Sequence, residues 1–280
     1  GLAALATAKM IEGDYPAAAD FSRQALDLNP DSERAAGVLV ETAPSDIQWE
    51  ELQVDLPEKF RQNPELLIAL AERASGQGRE KDANHLTKSA IRRAPDNWLV
   101  LARAALIKFG KIADKDEIRF LRLLHETDRK VVQEASDLFN QSWEAIKTGG
   151  WPTQADWVAA NLASTLLLLS NESAADEILR DAVSACGDTP ALLHVKAMRH
   201  MDKGEWTEAL SDLSKIPEEN WDDNDRLMLI QAEIRGGDAR KGLRTAKALY
   251  DGSDDAHLRI AAATCRIIAA GAISEESVQE

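Results

Sequence analysis

The chain has 280 residues, 44% hydrophobic and 29% charged, enough apolar material for a folded core and too much for a disordered chain. Its 33 basic residues face 48 acidic ones, a formal charge of −15, with 19 basic and 24 acidic residues up to Asn140 and 14 and 24 after it. Nucleic acid and anionic membrane surfaces select basic faces, so neither is expected as a partner.

Aromatic residues are only 5% of the chain; alanine and leucine supply the apolar content, and both favour helix. Along the chain, small and apolar residues recur at fixed distances on either side of a glycine. Around Gly13 these are Leu2, Ala6, Ala18, Ser22 and Ala25, with Pro30 closing the unit. The spacing predicts two amphipathic helices joined by a glycine turn. Between Pro30 and Pro64 the pattern degenerates: Asp31–Glu41 reads as a helix, and Pro44, Pro57 and Pro64 punctuate short segments.

The pattern returns around Gly78, with Leu67, Ala71, Ala83, Thr87, Ala90 and Pro95. Residues 98–109 then read as a first helix with Leu101 and Ala105, and a second would carry Ile118, Leu121 and Leu124. A helix over 129–147, ended by Gly149-Gly150-Trp151-Pro152, has no partner in the alternation. Three regions follow: an array over 1–128 with a degenerate second repeat, a connector helix over 129–150, and an array over 151–280.

In the last region Ser173 takes the turn position, with Leu162, Leu166, Ile178, Ala182, Ala185 and Pro190 around it. Gly204 brings Leu193, Ala197, Ala209, Leu213 and Ile216; Gly237 brings Ile230, Gly242, Ala246 and Leu249; Gly271 brings Ile260. One helix pair cannot bury its own apolar face, so neighbouring pairs must stack into a continuous core.

Gly204, Gly237 and Gly271 are 33 and 34 residues apart. That period, with Gly13-Asp14-Tyr15-Pro16-Ala17-Ala18 and Ala25-Leu26-Asp27-Leu28-Asn29-Pro30, resembles the tetratricopeptide repeat (TPR) family. Lys9, Ser22 and Thr87 depart from it, standing where the family favours other residues. The resemblance implies an all-α fold of antiparallel helix pairs wound into a right-handed superhelical solenoid. It also implies a groove lined by the first helix of each pair, here by His194, Met198 and Met201, by Leu227, Gln231 and Ile234, and by Leu106 and Phe109 with Leu99 and Ala102. Family members that hold a peptide's terminal carboxylate use lysine and asparagine where this chain has Ala3 and Thr7, so that mode is not expected.

No catalytic motif, metal-ligand spacing or cofactor fingerprint is present: His85, His125, His194, His200 and His257 are scattered, and HExxH, P-loop, GxSxG and GxGxxG are absent. Neither an enzyme, a metal nor a cofactor is expected. The acidic run Glu218–Asp225 lacks the order of a calcium loop and reads as an N-terminal cap for the next helix. Residues 88–122 invert the sign, nine basic against four acidic, and read as a solvated face. Of the seven tryptophans, Trp49, Trp98, Trp206 and Trp221 are expected to pack at junctions; Trp151 and Trp157 flank the Gly149-Gly150 break.

Cys186 and Cys265 share no ligand or redox spacing and are expected to be reduced and buried, which points to the cytoplasm. The chain opens Gly1-Leu2-Ala3 in mid-pattern, as a segment of a longer polypeptide would. Its longest apolar stretch, Leu166–Leu169 and neighbours, is too short to span a bilayer. The expected function is a scaffold or adaptor binding a partner peptide or helix along the groove. The alternative is a regulatory or spacer array attached to an enzymatic domain.

Overall fold

The computed structural model describes residues 1–43, 56–113, 124–152 and 155–279. Fourteen α-helices and two short 3-10 turns, and no strand, occur among them. They are α1 (Leu2–Ile11), α2 (Tyr15–Leu28), α3 (Glu33–Thr42), α4 (Pro64–Gly76), α5 (Glu80–Arg93), α6 (Trp98–Ala113) and α7 (Glu126–Gly149). The remainder are α8 (Ala155–Leu168), α9 (Glu172–Cys186), α10 (Pro190–Lys203), α11 (Trp206–Leu213), α12 (Asp223–Arg235), α13 (Ala239–Gly252) and α14 (Ala256–Gln279). Trp49, Ile118 and Leu121 lie outside the described residues.

The helices begin where the sequence supplies an acceptor for their unpaired N–H groups. Asp14 accepts from Ala17, Ser32 from Ala35, Asn63 from Glu65 and Leu66, and Asp238 from Lys241. Pro64 and Pro190 stand at helix starts, where a missing N–H costs nothing. Four of the first helices are followed by a left-handed glycine: φ is +79° at Gly13, +72° at Gly78, +76° at Gly204 and +98° at Gly237. At Gly204 that conformation lets two backbone N–H groups return to the helix end, closing the turn before α11.

The chain forms two compact units, residues 1–111 with 137–148, and residues 112–136 with 149–280. In the first, α1 packs on α2 and α3, α3 on α4, and α4 on α5. The repeated small residues make these contacts: Ala6, Ala18, Ser22, Ala71, Ala83 and Ala90 are fully buried. The helix expected to stand without a partner, 129–147, buries Phe139, Trp143 and Ile146. Its Ser142 hydroxyl donates to the Trp98 carbonyl at 2.8 Å.

In the second unit each pair packs internally (α8 on α9, α10 on α11, α12 on α13), and the first helices lie side by side in the order α8, α10, α12, α14. Leu193, Ala197, Ala209, Leu213 and Ile216 are buried as their spacing requires. Gly242 allows α13 to approach α12 closely: a Cβ there would lie 2.5 Å from Ile234 Cγ1.

The sequence pattern needs three corrections here. The turn between α8 and α9 is at Ser170, with φ +61°, and Ser173 lies inside α9. Counting from Ser170, the same distances give Ala159, Ala163, Ala175, Leu179 and Ala182, all buried. Gly271 forms no turn; α14 runs through it to Gln279. The expectation that no segment reaches membrane-spanning length also changes, since Ala256–Ser274 is long and apolar enough by length and composition, at mean hydropathy 1.3. Within the unit, α14 packs against α12 and α13 through a buried face that includes Leu258, Ala262, Cys265 and Ala269.

Candidate partner-binding cleft

In the second unit, the C-terminal end of α10, the C-terminal two-thirds of α12 and the N-terminal half of α14 line a cleft of about 950 Å³. Met201 of α10, Trp206 of α11, Leu227 and Ile234 of α12, and Ile260 and Ile268 of α14 give it an apolar lining. The two α12 residues are buried, while Ile260 and Ile268 are 65% and 44% exposed. Gln231, exposed, projects an amide among them. Asp202, Lys203, Arg235 and His257 add polar groups to the same lining.

Repeat geometry explains why these residues meet. Met201 and Ile234 each stand three residues before a turn glycine, Gly204 and Gly237, and Gln231 stands six before. Side chains three or four apart share a helix face, and stacked repeats bring matching faces together. Cys265 and Ala261 of α14 continue the lining one helix further. Burial raises the Cys265 thiol pKa. Cys186 is half-buried, and both thiols are free.

Of the ten groove positions expected from the resemblance, Met201, Leu227, Gln231 and Ile234 line this cleft. Met198 instead packs half-buried against the cluster of Leu193, Ala197, Leu213 and Met228. Leu99, Leu106 and Phe109 are half-buried and Ala102 fully buried on α6, in the other unit. His194 is committed elsewhere: its Nδ1 lies 2.6 Å from Asp225 Oδ1.

That contact also settles the acidic run. Asp222 caps α12 by accepting from the Asp225 N–H at 2.9 Å, and Asp225 accepts in return from the Asp222 N–H at 3.0 Å. Burial works against the Asp225 charge, but the hydrogen bonds from His194 and Asp222 outweigh it and hold the carboxyl below the usual carboxylate range. His194, Asp222 and Asp225 place potential metal-ligand atoms within 4.8 Å of one another. Both Asp225 oxygens and one Asp222 oxygen are already used in the clasp and the cap, so the trio joins α10 to α12. Sequence reasoning missed this clasp because its partners stand 31 residues apart.

A second clasp joins α9 to α10. Arg199, 7% exposed, donates to both Asp176 oxygens at 2.8 and 3.2 Å and pairs with Glu172 at 2.8 Å. Trp151 is 46% exposed and Trp157 half-buried, neither lining the cleft.

Paired helices with left-handed turns, small residues at the close contacts and adjoining first helices define a TPR-type α-solenoid. Solved structures bear this out at the level of the fold. A tetratricopeptide repeat protein from Parabacteroides merdae superposes with a TM-score of 0.57 at 12% identity, over 96% of this chain and 97% of its own. PilF of Pseudomonas aeruginosa gives 0.55 at 15% identity, over 90% and 91%. PilW, described as a type IV pilus biogenesis factor, gives 0.53 at 16% identity, over 92% and 96%. No family model matches the chain, and none of the curated proteins matches it.

Proposed function

We propose that the chain is a protein-interaction array whose working surface is the cleft between α10, α12 and α14. One observation carries this reading: Met201 and Ile234, equivalent positions of successive repeats, line a single cleft together with Leu227 and Gln231, and its α14 wall exposes two isoleucines. Exposed aliphatic side chains around a concave apolar floor suit the apolar face of a peptide helix, and the Gln231 amide suits its backbone or a polar edge. The likeness to other TPR-type structures supports the fold on which this rests.

The test is selection of short amphipathic peptides from a displayed library on the whole chain. Selected peptides should lose about tenfold or more in affinity, roughly 1.4 kcal/mol, on Gln231→Lys, an exposed position that the core does not use. On binding, hydrogen exchange should slow in α10, α12 and α14. Unchanged affinity on Gln231→Lys, with protection elsewhere, would remove the cleft from consideration.

A further inference from the structure

Resting on that reading of the cleft, we propose that its occupant is an acidic amphipathic helix whose apolar face enters between α10, α12 and α14 and whose flanking carboxylate pairs with Arg235. Arg235 ends α12, is exposed and lines the cleft. Among the described residues its guanidinium makes no ion pair or hydrogen bond. Several other cations of the unit are occupied (Lys196 with Asp188, Arg226 with Asp223, Lys241 with Glu233), and among the described residues Arg235 is the one without a partner that lines the cleft.

Lys203, on the same lining, reaches Asp176 at 3.3 Å, but that carboxylate already accepts two hydrogen bonds from Arg199. Its ammonium, with the side chain 37% exposed, is therefore only partly neutralised. Two cations against Asp202 make the mouth locally positive in a chain of formal charge −15.

A cation in the last turn of a helix also complements the helix dipole, but that role leaves the guanidinium donors unused. Their planar fork matches a carboxylate, and beside an apolar floor the pair is partly shielded from water. The negative charge of the whole chain repels a long acidic run. What fits is an aliphatic anchor set with one or two carboxylates beside it.

The experiment pans the same displayed amphipathic peptides on the wild-type chain, Arg235→Glu and Arg235→Gln, with Gln231→Lys as the control for the cleft itself. Wild type should enrich Asp or Glu beside the apolar anchors. Those peptides should weaken about fivefold on Arg235→Glu and less on Arg235→Gln, while Lys-bearing versions gain on Arg235→Glu. Absence of acidic enrichment, or equal binding to all Arg235 variants while Gln231→Lys abolishes it, overturns the charge assignment and leaves the cleft standing. Binding indifferent to Gln231→Lys as well overturns the cleft. A dimer in light scattering that Ile268→Glu disperses would show that a second copy covers the face, and the acidic helix would be wrong.

Discussion

A methyl group added at Gly242 would lie 2.5 Å from Ile234 Cγ1 and 3.2 Å from the Ile230 carbonyl oxygen, between two helices that cannot easily part. Gly242→Ala should therefore destabilise the chain by about 1–3 kcal/mol in urea titration. Gly271 is the useful contrast. It lies inside α14, where an added methyl would meet nothing within 4 Å, so Gly271→Ala should stabilise by about 0.5–1 kcal/mol. Destabilisation there would mean that Gly271 forms a left-handed turn after all.

Asp225 carries a prediction about acid. Its carboxyl is held below the usual range, as are those of Asp176, beside Arg199, and Asp188, beside Lys196. A depressed folded-state pKa contributes stability that is present above the unfolded value, about 3.9, and lost as pH falls through the folded value. Thermal melts should therefore fall steeply from about pH 4 downward. Asp225→Asn should cost about 1–3 kcal/mol at neutral pH and flatten that acid limb. An unchanged slope would mean that the His194 clasp does not persist in solution.

Between helices, four polar contacts share one spacing. His194–Asp225, Arg103–Glu72 and Lys111–Glu80 each span 31 residues, as does Arg93–Gln62. Thirty-one is one repeat less about one helical turn, which carries a side chain to the facing ridge of the neighbouring repeat. The glycine-centred pattern was legible because alanine contacts recur within each pair; Ala83, Thr87 and Ala90 are buried as that pattern requires. The clasps were not, because a complementary pair at 31 residues stands out only once the repeat period is known. Ser170 was missed for another reason: a serine carries no glycine signal, and Ser173 fitted nearly as well because Ala182 is shared by both registers and Leu162, on the Ser173 register, is also buried. Four of the ten expected groove positions share one cleft, as their offsets from the turn glycines require. His194 and Met198 escaped because one found a carboxylate and the other a core layer, contacts that a helix face by itself does not reveal.

Each of the two units has its own buried core, and stacked repeats unfold as coupled neighbours more than as one block. Leu70, 1% exposed, sits in the first. Leu70→Ala should cost about 2–5 kcal/mol, with loss of hydrogen-exchange protection centred on α3, α4 and α5. Equal loss at every protected amide of the chain would mean that all repeats unfold in a single cooperative step.

The contact between His194 and Asp225 also bears on how such a chain can be shortened. Half of that seam is written in one repeat and half in the next. Excising Gly204–Gly236 in frame would carry Leu258 into the place of Asp225, setting an imidazole against an aliphatic side chain. Trimming this array by a whole period would therefore require grafting an aspartate at the new junction, where matching backbone geometry alone would leave a mismatched joint.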